Sequence, residues 1–306
     1  MLKVYYSDLL QPVDAYQLQL SEKYIAPYAP LFEKVFFGLR NSLDELWFHG
    51  TTGQLDEQKK SFLLAAIEKE RKKRLTSIPI YPIGYCYSIT RIIYQYLLRM
   101  ELPDVRSPFH PLKEFIAHGG IFKIIWGEVR HEFFQTALQM GDWCFDVSND
   151  TVYLHKTKVI HYAFSSPECE YYSILSVGQY AKVKANYHCC EVYANTLFPA
   201  LAPSFPLLLK DKKTGQVSID NATVLSSLNC EMDELSLPTK EIKEFIFPRI
   251  HKVVGKYHSP KWIEYREMHL EEFSSSAVGT NEEQEKEIRR AVNYINFLLR
   301  SRSMGR

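Results

Sequence analysis

Residues 133–147, Phe133-Phe-Gln-Thr-Ala-Leu-Gln-Met-Gly-Asp-Trp-Cys-Phe-Asp-Val147, carry the clearest structural signal in the chain. Two apolar runs flank Gly141-Asp142, and a glycine-led two-residue turn between such runs is typical of a β-hairpin. A turn centred there pairs residues whose numbers sum to 283, so Asp146 lies opposite Ala137. The stretch therefore predicts two antiparallel strands joined by a tight turn.

Helix and strand patterns surround this hairpin. Residues 121–126 are rich in β-branched and aromatic side chains, which predicts a strand, and residues 152–154 and 159–164 are further strand candidates. Upstream, residues 86–100 place isoleucines and other apolar side chains at helical spacing, which predicts one continuous buried helix face. A rigid connector, residues 78–84, precedes that helix because two prolines and a glycine occur within it.

The rest of the chain is predicted to be mainly helical. Helices are expected over 15–41 with breaks at Pro27 and Pro30, and over 56–74, 239–256, 260–273 and 285–301. Residues 212–215 look like a turn between two short extended runs, and residues 274–281 like a flexible link.

These patterns predict an α+β fold in which a small antiparallel sheet packs on the helix that begins at Cys86. Three regions are expected: a helical N-terminal segment at 1–75, a core at 76–178 and a mainly helical region at 179–306.

Composition excludes several classes of protein. The chain has 306 residues and a formal charge of +1, so it lacks the basic excess expected of a general nucleic-acid binder. Six cysteines are ordinary usage and do not indicate a disulfide scaffold. We find no apolar run long enough to span a membrane and no signal peptide of the usual kind, so the expected location is the cytoplasm.

Cys86 is the strongest candidate nucleophile. It stands at the head of the predicted helix, behind Gly84, where free N–H groups and the helix dipole favour a thiolate and could stabilise an oxyanion. The alternative is that Cys86 is a small buried apolar side chain.

The order of Cys86, His131 and Asp146 resembles the transglutaminase-like branch of the papain-like thiol enzymes. The likeness covers residues 82–150 and lies in Gly-Tyr-Cys86-Tyr-Ser-Ile-Thr and in His131-Glu-Phe-Phe-Gln-Thr-Ala-Leu-Gln-Met-Gly-Asp-Trp-Cys-Phe-Asp146. In that superfamily a cysteine opens a helix, a histidine opens a strand and an aspartate closes the next strand. The resemblance implies that Cys86 is the nucleophile, His131 the base and Asp146 the carboxylate that orients the histidine.

The activity implied by this resemblance is cysteine-dependent acyl chemistry on protein amides, as in a protease, a glutamine deamidase or a transglutaminase, with no cofactor and with a protein or peptide as substrate. The segment before Cys86 lacks the glutamine that papain-type enzymes use as an oxyanion donor, so Tyr81, Tyr85 or backbone N–H groups are the candidates for that binding role. The Arg-Gly-Gly of arylamine acetyltransferases is also missing before Cys86, which disfavours that alternative.

A non-catalytic protein-interaction module is the competing hypothesis. The acidic stretch 282–287 is similar to stretches near the end of effectors that intracellular bacteria inject into host cells, although acidic residues also suit the first turn of a helix. An effector would reach the host cytosol without a signal peptide and would have a host protein as its target.

Other polar candidates carry weaker signals. His188-Cys189-Cys190 has the composition of a metal site, but the chain has no Cys-x-x-Cys pair, so no metal is expected. His110 and His118 are candidates to line a cleft, and Asp150 competes with Asp146 for the role of the acid.

Overall fold

The computed structural model describes residues 10, 13–73, 80–222, 225, 228, 235–254 and 282–300. The chain divides into two compact units. The first unit comprises residues 1–130 and 134–173, and the second comprises residues 131–133 and 174–306. The helices of the expected N-terminal segment therefore belong to the same unit as the sheet.

The first unit contains a five-stranded sheet in the order β4-β3-β2-β1-β5. The strands pair antiparallel where β2 meets β3, where β3 meets β4 and where β1 meets β5. The mixture of this sheet with helices confirms the α+β class. The strands are β1 (Phe122–Val129), β2 (Phe133–Met140), β3 (Trp143–Asp146), β4 (Ile160–Ala163) and β5 (Tyr171–Tyr172).

The β2–β3 hairpin has the predicted register. Met140 pairs with Trp143 and Leu138 with Phe145 across a turn that contains Gly141. Gly141 has φ 59°, and a Cβ added there would lie 2.1 Å from the Ser21 hydroxyl oxygen, so glycine is required both by the backbone conformation and by the space available.

The described part of the first unit contains five α-helices. The break expected near Pro27 and Pro30 is confirmed, because a short 3₁₀ turn separates the first two helices and Pro30 enters the second at its first turn. The fourth helix continues as a π-helical turn, Leu97–Glu101. The helices are α1 (Ala15–Tyr24), α2 (Ala29–His49), α3 (Glu57–Lys73), α4 (Cys86–Tyr96) and α5 (His110–Ala117).

The two faces of the sheet bury different sets of residues. Leu138 and Phe145 belong to the main core, which contains the apolar face of α4. Ala137 and Cys144, each next to one of these residues in the chain, belong to a smaller cluster with Ile125 and two tyrosines. Since side chains alternate along a strand, the helix α4 packs on one face of β2 and β3 and the smaller cluster lies on the other.

One predicted strand is not observed. Residues 152–154 follow a 3₁₀ turn, Asn149–Thr151, and do not pair with the sheet. Gly84 donates its backbone N–H to the carbonyl of Thr151 at 3.1 Å, so this segment is held against the start of α4.

The second unit combines a three-stranded sheet, β6-β7-β8, with helices. The expectation of a mainly helical region is thus incomplete, although the turn predicted at 212–215 does join β7 to β8. The elements are α6 (Val177–Tyr187), β6 (Cys190–Ala194), β7 (Leu207–Asp211), β8 (Val217–Ile219), α7 (Lys240–Val254) and α8 (Glu282–Arg300). The predicted helix at 260–273 and the link at 274–281 lie outside the described residues.

A side chain of α8 completes the edge of β8. The Asn296 amide accepts a hydrogen bond from the Ile219 N–H at 2.7 Å and donates one to the Ile219 carbonyl at 2.9 Å. All four groups are buried, so the amide replaces the backbone of a missing neighbouring strand. No helix in the described part of the chain combines the length and the apolar character needed to cross a membrane.

Candidate functional site

Cys86 occupies the first position of α4, as predicted, and is half-buried. Its electrostatic environment differs from the expectation of an activated thiol. Burial raises the pKa of Cys86 above its usual value, the hydrogen bond from Thr136 acts in the opposite direction, and the Asp146 carboxylate raises the pKa further. The pKa of Cys86 is therefore raised, whereas its position at the start of a helix predicts a lowered one, and desolvation by burial is the largest cause.

Thr136 is the side chain that contacts the sulfur. Its hydroxyl lies 3.9 Å from the Cys86 sulfur and donates to it. The Thr136 carbonyl accepts a hydrogen bond from the Thr90 hydroxyl at 3.1 Å, which ties the same point of β2 to the next turn of α4. A threonine thus stands on the strand where a thiol enzyme would place its base.

His131 lies outside β2. It occupies the turn after β1, is exposed and has φ 60°, a left-handed conformation that is uncommon for a residue with a side chain. The strand begins at Phe133, and the three residues from there to Thr136 span about 10 Å. The prediction that His131 opens the strand is wrong by two residues, and its role as a base stays a prediction.

Asp146 closes β3, as predicted, and is buried. One carboxylate oxygen accepts a hydrogen bond from the Gln135 amide at 2.7 Å, and the other accepts from the N–H and the hydroxyl of Ser148 at 2.8 and 3.2 Å. Burial raises the pKa of Asp146 to about 6, although these hydrogen bonds lower it. The carboxylate is therefore oriented by a glutamine and a serine.

The alternation of the sheet explains why Asp146 meets Gln135. The preceding residue, Phe145, packs in the core that contains α4, so Asp146 projects from the opposite face of β3. Gln135 likewise projects from the opposite face of β2 to Thr136, the residue that contacts Cys86. The thiol and the carboxylate therefore approach the sheet from different faces.

Asp150, the rival acid, belongs to a buried ion pair. Its two carboxylate oxygens accept hydrogen bonds from the Arg40 guanidinium at 2.7 and 3.2 Å. Arg40 is fully buried and Asp150 nearly so. This pair joins α2 to the turn after β3 and gives Asp150 a structural role.

Tyr81 and Tyr85 form an aromatic cluster with Trp47. Tyr81 stacks on Trp47 with ring centroids 4.4 Å apart, and Tyr85 packs edge-on against both rings. The Tyr81 hydroxyl donates to Asp44 at 2.5 Å, and burial raises the pKa of Tyr81. The Tyr81 hydroxyl is therefore committed to Asp44, while an oxyanion role for Tyr85 stays a prediction.

Among the remaining histidine and cysteine candidates, His188, Cys189 and Cys190 belong to the second unit, and His118 is held by local contacts. Burial lowers the pKa of His188 to about 4; Cys189 is exposed and Cys190 is buried. Within the described ranges, no group of three or more His, Cys, Asp or Glu side chains is arranged to hold a metal ion. The His118 ring contacts the Glu114 carbonyl at 2.7 Å and stacks on Tyr24. His110 opens α5 and is exposed.

Sequence reasoning missed Thr136, Gln135 and Ser148. The signal that could have found them was the hairpin register itself. Placing Asp146 opposite Ala137 already makes Gln135 and Thr136 the neighbours on β2, one on each face of the sheet.

Comparison with known proteins gave no further identification. Neither family models nor curated proteins nor solved structures match this chain. The resemblance to transglutaminase-like enzymes therefore stays a hypothesis based on residues 82–150.

Proposed function

We propose that this chain is a protein-interaction module in which Cys86 is a packed side chain and not a nucleophile. The observation that carries the proposal is the contact between the Cys86 sulfur and the Thr136 hydroxyl at 3.9 Å, at the place where thiol catalysis needs a base. A threonine hydroxyl does not accept the thiol proton at neutral pH, so the contact supports packing rather than activation.

The charge state of the thiol supports the same function. Thiol catalysis depends on the thiolate, and burial raises the pKa of Cys86 above its usual value, with a further rise from Asp146. The orienting carboxylate is also engaged elsewhere, because Asp146 accepts from Gln135 and Ser148.

The surface next to Cys86 supports a binding role. Four large apolar side chains on α2 or close to Cys86 in the chain are exposed: Phe48, Ile80, Ile83 and Tyr87. Clusters of exposed aromatic and aliphatic side chains mark interaction sites in many proteins.

Site-resolved alkylation tests the inert thiol. The native chain is treated with iodoacetamide at pH 7, and the modification of each cysteine is followed by mass spectrometry of its peptides. Cys189 is exposed and provides the internal control. We expect Cys86 to react at least about tenfold more slowly than Cys189. Faster labelling of Cys86, with a pH midpoint below neutrality, would overturn the proposal.

The second candidate function is cysteine-dependent acyl chemistry on protein amides, and the position of Cys86 at the first residue of α4 favours it. Its substrate would be a protein or peptide, cleaved, deamidated or transamidated through a thioester. The test is incubation with a glutamine-containing peptide and a labelled amine. Product from the wild type and from Cys189→Ala, but not from Cys86→Ala or His131→Ala, would establish it and refute the interaction-only function.

A further inference from the structure

Cys189 and Cys190 are adjacent thiols at the junction of α6 and β6. Cys189 follows the C-terminal cap of α6, and Cys190 is the first residue of β6. Both belong to the second unit, whereas Cys86 belongs to the first. The pair is therefore a second place in the chain where thiol chemistry has to be considered.

Both sulfurs lie against the same end of α6. The Cys189 thiol donates to the Asn186 carbonyl at 3.9 Å, and the Cys190 thiol donates to the Lys184 carbonyl at 3.5 Å. Neighbouring side chains of a regular strand point to opposite faces, but Cys189 precedes the strand and has φ 49°, a left-handed conformation. The two thiols therefore face one turn of helix backbone.

The two thiols differ in their access to solvent. Cys189 is exposed, whereas Cys190 is only 5% exposed. An oxidant in solution therefore meets the Cys189 sulfur first. Redox-sensing cysteines are typically accessible and placed next to a second thiol that resolves the sulfenic acid, and this pair has both features.

The charges around Cys190 suit it to the second step of such a reaction. Burial raises the pKa of the Cys190 thiol, and Asp220 raises it further. Lys184 and Lys212 act in the opposite direction without reversing the shift. Because a cysteine attacks a peroxide as the thiolate, burial disfavours Cys190 as the first thiol to be oxidised.

We propose that Cys189 and Cys190 form a reversible disulfide when a peroxide reaches Cys189. The Cys189 thiolate attacks one oxygen of hydrogen peroxide, the O–O bond breaks, and the hydroxide that leaves takes up the thiol proton to give water. The Cys190 sulfur then attacks the sulfur of the Cys189 sulfenic acid, the S–O bond breaks, and a second water leaves with the Cys190 proton. The two thiols together lose two electrons and two protons, and the peroxide is reduced to two waters. This chemistry does not depend on the interaction role proposed above.

The spacing of the pair makes the disulfide easy to reduce. Consecutive Cα atoms lie about 3.8 Å apart across a trans peptide bond, whereas the usual range for a disulfide begins at about 4.4 Å. A disulfide between neighbours is therefore strained, and strained or exposed disulfides are reduced more readily than structural ones. The oxidised pair should return to two thiols in reduced glutathione.

Zinc binding is the alternative use of two adjacent thiolates. A structural zinc ion takes four protein ligands, usually cysteine and histidine side chains. Among the residues that the structure describes, no third His, Cys, Asp or Glu side chain joins this pair in an arrangement that could hold a metal ion. Disulfide formation needs only the two thiols.

Peptide mapping tests the proposal, because trypsin isolates the pair in a single peptide. Cleavage after Lys184 and Lys210 gives peptide 185–210, which contains no cysteine besides the pair. The reduced native chain is treated with hydrogen peroxide, the remaining thiols are blocked with N-ethylmaleimide, and the digest is analysed by mass spectrometry. We expect peptide 185–210 to become about 2 Da lighter, to carry no maleimide and to stay unlinked to any other peptide. Two maleimides on this peptide, a cross-link to another cysteine, or sulfinic acid in place of the disulfide would overturn the proposal.

Variants establish the order of the two steps. Cys189→Ser and Cys190→Ser should each abolish the disulfide, and only Cys190→Ser should accumulate a sulfenic acid, which dimedone traps. In Cys189→Ser, we expect the remaining thiol to be oxidised at least about tenfold more slowly than Cys189 is in Cys190→Ser. Equal rates would refute the assignment of Cys189 as the first thiol. Cys169→Ser is the matched control, because Cys169 is a half-buried free thiol of the first unit, and peptide 185–210 should oxidise as in the wild type.

Two further measurements distinguish the remaining alternatives. Excess reduced glutathione should restore both thiols in the oxidised chain, and a disulfide that persists would refute the reversible couple. Stoichiometric zinc binding that Cys189→Ser abolishes would assign the pair to a metal and overturn the proposal. Alkylation of Cys86 tests the interaction role separately, so the failure of one proposal leaves the other standing.

Discussion

The buried pair of Arg40 and Asp150 gives the sharpest stability prediction. In Asp150→Asn, the fully buried Arg40 guanidinium loses a charged partner at 2.7 Å, and Asp44, at 3.2 Å from its Nε, remains. Breaking a buried ion pair by removing one partner costs about 3–5 kcal/mol. Because Asp44 still compensates part of the charge, we expect the lower end, a loss of about 3 kcal/mol in the free energy of unfolding.

Tryptophan fluorescence during urea denaturation measures this loss. Trp47, Trp126 and Trp143 lie in the first unit, so the signal is weighted towards the unit that contains the pair. A loss of about 3 kcal/mol corresponds to a fall of about 6–12 °C in the melting temperature of a unit of this size. The matched control is Glu68→Gln, which removes an exposed partner of Lys72 and should change stability by less than about 0.5 kcal/mol.

A double variant separates the loss of the pair from the burial of an unpaired charge. Arg40→Met combined with Asp150→Leu removes both charges, and Asp44 keeps its hydrogen bonds with Tyr81 and Lys158. The double variant should be more stable than Asp150→Leu alone. If Asp150→Asn unfolds within about 0.5 kcal/mol of the wild type, the ion pair does not hold α2 to the sheet, and the reasoning fails.

Three other predictions concern a carboxylate, a turn and a strand edge. Burial raises the pKa of Asp146 to about 6 in the folded state, whereas the same carboxyl group loses its proton near pH 4 in the unfolded state. As the pH rises from 4 to above 6, this group should therefore lower the free energy of unfolding by about 3 kcal/mol. In Asp146→Asn, chemical denaturation should no longer show this fall in stability between pH 4 and 6. An unchanged dependence of stability on pH would contradict the role given to Asp146. Gly141→Ala should lower the free energy of unfolding by at least about 2 kcal/mol more than Gly215→Ala does, as thermal melts can show. Both glycines have positive φ, but only at Gly141 would an added Cβ meet another side chain. Asn296→Ala should destabilise the second unit by about 2–4 kcal/mol, since two buried backbone groups of β8 lose their hydrogen-bond partners. The control Asn293→Ala changes an exposed side chain of the same helix and should lie within about 0.5 kcal/mol of the wild type. Hydrogen exchange of the β8 amides measures both effects.

Local patterns were sufficient for the elements next to the site. The Gly141-Asp142 turn and the apolar alternation around it specify the β2–β3 register, and the apolar stripe specifies α4 with Cys86 at its first position. Both signals lie within one stretch of chain, so they needed no tertiary information.

Contacts between distant residues could not be predicted in this way. Arg40 and Asp150 are 110 residues apart, and nothing in either segment identifies the other as its partner. The second sheet was only partly anticipated, because β8 has three residues and its edge is completed by Asn296, 77 residues away. Short strands carry too few residues for a pattern of alternation to be distinguished from a loop.

The candidate triad shows how a family pattern in the sequence leaves open which residues of a hairpin contact the thiol and the carboxylate. The interval from His131 to Asp146 matches the pattern, but side-chain direction in a hairpin depends on the register, and a shift of one residue moves every side chain to the other face. With Leu138 opposite Phe145, the residue that reaches Cys86 is Thr136, and the one that reaches Asp146 is Gln135. A base at residue 136 would lie on the face that contains the thiol. Asp146, on the opposite face, would still contact Gln135, so a histidine at residue 136 alone would not complete a triad.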